Sequence, residues 1–269
     1  IRRVKASKQT GTTITFWPDA TIFEETEFRA QTILERLREM AFLNKGLEIR
    51  FTDERTDPKL EQTYKYSGGL VDFVKHLNTS KDPLFKRVIS LEEKSQAGEV
   101  EIAMQWNTGF YEGIHSFANN IATTEGGMHE EGFKKALTNA VNRYARAKGF
   151  VKDKDVSLLG EDIREGLTAI VSVRLRNPQF EGQTKAKLGN TEMRSAVEKS
   201  TNEKLGDWLE EHPSEARQVL NKATQAARAR LAARQARDLT RRKSLLESAA
   251  MPGKLADCSS KDPKESELF

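Results

Sequence analysis

The amino-acid sequence predicts an α+β protein in which helices cover one face of a mixed β-sheet. Segment 99–106, "EVEIAMQW", alternates apolar and polar residues, as a half-buried strand does. Segment 167–175, "LTAIVSVRL", is predominantly apolar, which is typical of a central strand. Phe133, Leu137 and Val141 recur at helical spacing and form the apolar stripe of a long helix. Strands and helices that follow one another in this order predict a sheet with helices packed against it.

The first 69 residues contain a strand, a helix and a pair of strands by the same criteria. Segment 10–19, "TGTTITFWPD", is rich in β-branched and aromatic residues and predicts a strand. Segment 27–46 has helical spacing, and Asn44 lies near its expected end. Segment 47–69 predicts two strands around a polar turn. Residues 1–69 are therefore expected to be the last part of an α/β sandwich.

A short amphipathic helix at 70–77 is predicted as a connector, and a second block starts at Glu99. The stretch 81–98 gives mixed signals and no clear element. Strand 99–106 is followed by a turn and by a strand that returns within 114–123. The glycine loop "TEGGMHEEG", at 124–132, leads into the long helix.

Two helices are predicted after the apolar strand. The first covers 192–212, and Pro213 breaks it. Ser214 is the expected N-cap of the second, which covers 215–246 and is about 48 Å long at about 1.5 Å per residue. Residues 247–269 are polar and predict a linker.

Composition excludes several classes of site. The chain has 44 Lys and Arg against 40 Asp and Glu, a net charge of +4, and a single cysteine, Cys258. One cysteine excludes a disulfide within the chain and a zinc site made of thiolates, and it is compatible with a reducing cytoplasm. No apolar run approaches the roughly 20 residues of a membrane helix. The chain lacks an initial methionine and starts inside a domain-like pattern, so we expect a piece of a longer protein.

Catalytic and metal motifs of the common kinds do not occur. The four histidines are scattered, and "MHEEG" has no second histidine four residues after the first. Neither a G-x-S-x-G elbow nor a Walker A sequence is present. We therefore expect no metal site in this chain.

The segment "EGQTKAKLGN", at 181–190, is the sharpest candidate for ligand binding. Lys185 is a flexible point charge that suits a terminal phosphate, and Gln183 adds amide donors. Flanking glycines let the backbone approach a ligand closely. The alternative is a solvated connection whose charges serve solubility. The glycine loop at 124–132 likewise permits an anion site at a helix start or a plain turn.

The last helix carries a basic stripe. Arg230, Arg234, Arg237 and Arg241 are spaced 4, 3 and 4 residues apart and share one face. Such a stripe can follow the phosphates of DNA, or it can simply suit the helix dipole.

Six segments, read together and in order, resemble the B subunits of DNA gyrase, the bacterial type II topoisomerases, in an actinobacterial version. They are "TGTTITFWPDATIFE", "EMAFLNKGLEIRFTDER", "GGLVDFVKHLN", "TTEGGMHEEGF", "PQFEGQTKAKLGN" and "MPGKLADCSSKDPKESELF". The resemblance implies that residues 1–69 are the end of a GHKL-type ATPase domain. It implies that residues 70–246 are a transducer with a core like domain 2 of ribosomal protein S5 and a long exit helix. Residues 247–269 would then approach a TOPRIM domain.

The resemblance also implies roles for particular residues. Thr12 matches a threonine that lines the adenine pocket, and Ile14 matches an apolar wall residue. Gln183, Thr184 and Lys185 match the Q-T-K loop, whose glutamine and lysine reach the γ-phosphate of ATP. Lys185 is therefore the expected catalytic residue, which stabilises the charge that develops on the phosphate.

The implied cofactors are ATP and Mg²⁺, although the family's Mg²⁺ ligands and catalytic glutamate are absent from this sequence, so this chain alone is expected to be inactive. The implied partners are DNA, the gyrase A subunit and a second B subunit, in the cytoplasm and without a membrane. Met128 departs from the family pattern, which has threonine there. A topoisomerase IV B subunit remains an alternative, as do an S5-like RNA-binding module and a dimerising rod. The rod is disfavoured because the seam of the last helix would be mostly alanine.

Overall fold

The computed structural model describes residues 10–150 and 158–248 and, from 241 onwards, the backbone only. The start of the chain, Cys258 and most of the predicted linker lie outside the described residues. The helices are α1 (Ala30–Leu43), α2 (Leu70–Leu77), α3 (Met128–Ala147), α4 (Gly160–Arg164), α5 (Thr191–Glu211) and α6 (Pro213–Ser248). The strands are β1 (Glu48–Asp53), β2 (Leu60–Lys65), β3 (Ile89–Lys94), β4 (Glu99–Trp106), β5 (Gly113–Ala118), β6 (Ile121–Ala122), β7 (Leu167–Arg174), β8 (Phe180–Glu181) and β9 (Lys187–Leu188).

A five-stranded mixed sheet in the order β3-β4-β7-β5-β6 forms the centre of the molecule. The apolar strand β7 lies in the middle, as expected, and pairs antiparallel with β4 and parallel with β5. Strand β5 therefore runs back in the opposite direction to β4, as expected, but β7 lies between the two. Strand β3 lies in the stretch that gave mixed signals and forms one edge of the sheet.

Both faces of this sheet are covered, so the prediction of a single covered face is wrong. On one face, Ile102, Met104 and Val171 pack in a large core with α3, α5 and the first turns of α6. On the other face, Ala103 and Ile170 pack against side chains from the end of α1 and from α2. Successive residues of a strand point to opposite faces, so β4 and β7 supply both cores at once. Strand β4 is consequently more buried than its alternating sequence indicated.

The expected helix and hairpin of the first block are present. Helix α1 ends at Leu43 with Asn44 as its C-cap, and β1 pairs with β2 over six residues. The expected strand at 10–19 is wrong, because no described strand runs beside this segment to complete a hydrogen-bonded ladder. Its apolar side chains are exposed, Trp17 to 82%.

Helices α5 and α6 follow the predicted pattern, but the N-cap of α6 differs from the expectation. The helix begins at Pro213, so Ser214 is already helical and its hydroxyl donates to the Glu215 carboxylate. Proline suits the first helical position because its φ is already helical and that residue needs no N–H donor. At about 1.5 Å per residue, the 36 residues of α6 extend over about 54 Å.

Candidate functional site

A small hairpin carries the Q-T-K residues at its tip. Strands β8 and β9 pair over two residues each, and residues 182–185 form the turn between them. The Lys185 backbone has φ +57°, and its N–H donates to the Gly182 carbonyl at 3.4 Å. The side chains of Gln183, Thr184 and Lys185 are all exposed. The structure therefore brings the three predicted tip residues together on a protruding turn.

The ammonium group of Lys185 has no carboxylate partner in the part of the chain that the structure describes. Its Nζ lies 5.9 Å from the centre of the Phe180 ring, a weak cation–π contact. The neighbouring Lys187, by contrast, pairs with Glu181 at 3.1 Å. One lysine of the hairpin is thus held by a carboxylate of the same hairpin, and the other is available to an external anion.

The base of the hairpin is fixed to the glycine loop that precedes α3. The Glu125 N–H donates to the Ala186 carbonyl at 2.9 Å, and the Leu188 N–H donates to the Gly126 carbonyl at 3.2 Å. Gly127 forms a parallel bridge with Leu188, which is fully buried. A Cβ at Gly127 would lie 2.4 Å from the Leu188 carbonyl oxygen. The glycine is needed because β9 runs directly against its backbone.

Asn190 joins the hairpin to α5. Its buried side chain accepts a hydrogen bond from the Gln179 N–H at 2.7 Å and donates to the Asn177 carbonyl at 3.2 Å. The same residue is the N-cap of α5. Sequence reasoning missed Asn190, although an asparagine directly before a helix is a common N-cap signal. The segment that leads into the hairpin is therefore tied to the residue at which α5 begins.

The start of α3 is occupied by a carboxylate of the chain itself. Glu130, in the first turn, accepts a hydrogen bond from the Ser116 hydroxyl at 2.7 Å and pairs with Lys134 at 2.8 Å. A carboxylate in this position already stabilises the positive end of the helix dipole. The glycine loop therefore serves to support the hairpin, and the structure favours the plain turn over an anion site. Met128 is the first residue of α3, which has no side-chain cap.

His129 is buried under this loop. Its Nε2 lies 3.2 Å from the Thr123 hydroxyl, and its Nδ1 has no hydrogen-bond partner among the described residues. Burial lowers the pKa of His129 to about 4, while the nearby Glu130 acts weakly in the opposite direction. The imidazole is therefore neutral near pH 7 and belongs to the core beneath the hairpin.

Thr12 and Ile14, the expected adenine-pocket residues, lie in the extended segment at 10–19. Both side chains are exposed, Ile14 to 81%. No hydrogen bond joins either residue to the hairpin across the described ranges. The structure does not assemble these two residues with Lys185, and their role stays a prediction.

The four arginines of the basic stripe have different surroundings. The Arg230 guanidinium makes two hydrogen bonds of 2.9 Å to the buried Asp162 carboxylate. Arg234 and Arg237 are exposed. Arg241 lies within α6, but its side chain is outside the described part of the structure. Arg230 is therefore engaged within the protein, and the expected DNA proximity stays untested for all four.

Neither a metal centre nor a membrane span can be assigned to the described residues. No group of three or more His, Cys, Asp and Glu side chains in 10–150 and 158–248 is arranged to hold a metal ion. None of the described helices is both long enough and apolar enough to cross a bilayer.

The fold and the hairpin have counterparts in known proteins. The family model described as DNA gyrase B matches residues 69–239. The novobiocin-sensitive gyrase B protein of Streptomyces niveus is 53% identical over 98% of this chain and 42% of its own length. The 43K ATPase domain of Thermus thermophilus gyrase B, solved with an aminocoumarin, is 40% identical with a TM-score of 0.73 over 82% of this chain and 59% of that one.

A related enzyme is more distant. The topoisomerase IV ATP-binding domain of Francisella tularensis is 26% identical with a TM-score of 0.68, over 80% of this chain and 58% of that one. These structures confirm the α+β class and its relation to the ATPase region of type II topoisomerases. The chain spans less than half the length of the Streptomyces relative. Because the family model covers well over half of this sequence, the chain belongs to the DNA gyrase B family.

Proposed function

We propose that this chain is the nucleotide-sensing transducer segment of an ATP-dependent type II DNA topoisomerase, and that it couples ATP binding and hydrolysis to strand passage and negative supercoiling. The observation that carries the proposal is the exposed ammonium of Lys185, without a carboxylate partner among the described residues, on a hairpin whose base is fixed in the core. A flexible lysine side chain on a hairpin with a fixed base can bind an anion when one is present and stay unbound when it is absent.

The terminal phosphate of ATP is the proposed ligand of the hairpin tip. A charge-assisted hydrogen bond contributes about 1.5–3 kcal/mol, which shifts a two-state equilibrium roughly 10- to 150-fold. The contact exists with a triphosphate and is lost with a diphosphate, so it favours one orientation of the hairpin only before hydrolysis. Gln183 would donate its amide N–H to the same phosphate, and Thr184 would lie beside it.

Lys185 would also act in the chemical step. ATP supplies the phosphoryl group that is transferred to water. A fixed cation near that group stabilises the negative charge that develops on its oxygens. Thr12 and Ile14 would contact the adenine in the complete site. The Mg²⁺ ligands of the family do not match residues of this sequence, so other parts of the protein would hold the metal.

The signal would pass from the hairpin through Asn190 to α5 and then to α6. Asn190 accepts the hydrogen bond from Gln179 at the base of the hairpin and is also the N-cap residue of α5. Helix α5 continues into α6 with only His212 between them. Arg234 and Arg237, exposed on α6, would lie near the phosphates of DNA. The proposed partners are DNA, the gyrase A subunit and a second B subunit, in the cytoplasm. We propose the domain boundaries 1–69, 70–246 and 247–269 for this arrangement.

The test is Lys185→Ala in the intact B subunit reconstituted with the A subunit. ATP turnover and supercoiling should both fall at least about tenfold, because single electrostatic contacts to a developing charge are worth that much or more. Lys187→Ala is the matched control, since that lysine is already paired with Glu181. Equal activities of the Lys185→Ala variant and the parent would refute the proposal.

A further inference from the structure

Helix α6 leaves the core at one identifiable turn. Its buried side chains are Ala216, Val219, Leu220, Ala223 and Ala226. From residue 231 to residue 240 every side chain is exposed. Arg230 lies between these two parts, with 25% of its side chain exposed. It is therefore the last partly buried residue of α6 before the ten exposed residues 231–240, which extend over about 15 Å.

The contact of Arg230 with Asp162 is a strong one. The Nε and Nη2 atoms donate to the two different carboxylate oxygens, both at 2.9 Å, and Glu161 approaches Nε at 3.4 Å. This bidentate geometry fixes orientation as well as distance. The Asp162 side chain is only 2% exposed, so water cannot replace the guanidinium without rearrangement.

Asp162 is itself held rigidly. Its Oδ2 accepts a hydrogen bond from the Leu159 N–H at 2.8 Å, which fixes the start of α4. The next residue, Ile163, is buried, and its carbonyl accepts from the Trp106 indole N–H of β4 at 2.8 Å. The guanidinium of Arg230 is thus fastened through α4 to the central sheet.

This arrangement conflicts with a DNA-contacting role for Arg230. Release of the guanidinium to a phosphate would leave a buried, uncompensated carboxylate, which is strongly unfavourable. Arg234 lies one turn further along the same face, is exposed, and has no carboxylate partner in the described part of the chain. Two arginines of one stripe therefore have different surroundings.

We propose that Arg230 is a positioning residue whose pair with Asp162 sets the direction in which α6 leaves the core. A rotation of 10° at this anchor would move Ser244, about 21 Å further along the helix, by about 4 Å. The consequence for enzyme coupling rests on the proposed function, because α6 is the part that would carry the nucleotide signal onward. The anchor itself can be tested on this chain alone.

The first experiment measures the distance from α6 to the core in this chain. Cys258→Ser removes the native thiol, and Asn139→Cys on α3 and Ser244→Cys on α6 take spin labels. The parent should give a narrow distribution of label distances. Arg230→Gln and Asp162→Asn should each broaden or shift it by several ångströms, and Arg230→Lys should restore most of the parent distribution. Asp162→Asn keeps an oxygen for the Leu159 N–H, so it remains informative if Arg230→Gln does not fold.

Arg234→Gln is the matched control, one turn away on the same face, and should leave the distance distribution unchanged. The proposal is overturned if Arg230→Gln and Asp162→Asn both give the parent distribution. It is equally overturned if Arg234→Gln broadens the distribution as much as they do, because the exit direction would then not depend on the Asp162 pair.

The second experiment uses the intact B subunit with the A subunit. Arg230→Gln should reduce the supercoils introduced per ATP consumed severalfold and leave the salt dependence of DNA binding unchanged. Arg234→Gln should lower that dependence by about one phosphate contact. If Arg230→Gln lowers it equally, Arg230 is a DNA contact and the inference is wrong. If neither variant changes DNA binding, the proposed contact between the arginine stripe and DNA is wrong. The distances between the spin labels then still decide whether Arg230 sets the direction of α6.

Discussion

Gly127→Ala should detach the Q-T-K hairpin from the glycine loop without unfolding the core. The native backbone has φ +134° and ψ −169°, a region that costs other residues about 1–3 kcal/mol. The added methyl would lie 2.4 Å from the Leu188 carbonyl oxygen and 2.5 Å from its nitrogen. Strand β9 must withdraw to relieve this overlap, which gives up two hydrogen bonds of about 1 kcal/mol each. Together, the backbone strain and the lost hydrogen bonds should destabilise the contact between the hairpin and the glycine loop by about 3–5 kcal/mol.

Hydrogen exchange measured amide by amide is the suitable assay, because the damage is local. The Leu188 amide, which donates to Gly126, and the Glu125 amide, which donates to Ala186, report the docking directly. A loss of about 3 kcal/mol corresponds to a fall in protection of about 150-fold at both positions.

Gly182→Ala is the control for backbone strain alone. Gly182 also has a positive φ, +74°, but a Cβ there would meet nothing within 4 Å. Gly182→Ala should destabilise the protein by about 1–2 kcal/mol. The hydrogen bonds between the hairpin and the glycine loop should be retained. Protection at Leu188 and Glu125 that is the same in the parent and in Gly127→Ala would refute the reasoning about close approach.

Two further predictions concern the core around the hairpin and the sheet. The pKa of His129 is about 4 in the folded protein and near 6.5 in the unfolded chain, so the unfolded chain binds more protons between these two pH values. The free energy of unfolding should therefore fall by about 3 kcal/mol as the pH drops from about 6.5 to 4. His129→Gln should abolish this part of the pH dependence in urea titrations at several pH values. Trp106→Phe removes the buried indole donor to the Ile163 carbonyl and leaves a small cavity. It should lower the free energy of unfolding in urea denaturation by about 2–4 kcal/mol. A decrease below about 1 kcal/mol would contradict a stabilising role for the indole contact.

Local patterns predicted the elements that have strong periodicity. The central position of β7 follows from its apolar sequence, and α3, α5 and α6 follow from helical spacing and from Pro213. The residue types of the hairpin tip made it a candidate ligand site, and the resemblance to the gyrase B family identified it as the Q-T-K loop. These features are carried by neighbouring residues, so a single sequence reveals them.

The parts that were missed depend on residues far apart in the chain. Phe42 and Leu43, at the end of α1, pack on the sheet beside Ile170, which no local pattern shows. Arg230 is basic like its neighbours in the stripe, and only its distance to Asp162 separates it from them. The predicted strand at 10–19 has strand-like residues, yet pairing, not propensity, decides whether a strand forms.

The insertion of β7 between β4 and β5 has a consequence for biosynthesis. A ribosome makes β4 and β5 first, but the two do not pair with each other, and the strand that joins them emerges about fifty residues after β5. Until then, β4 and β5 present unpaired, largely apolar edges that can associate with other nascent chains. Premature termination anywhere in that interval should therefore yield an aggregating product and not a smaller folded unit.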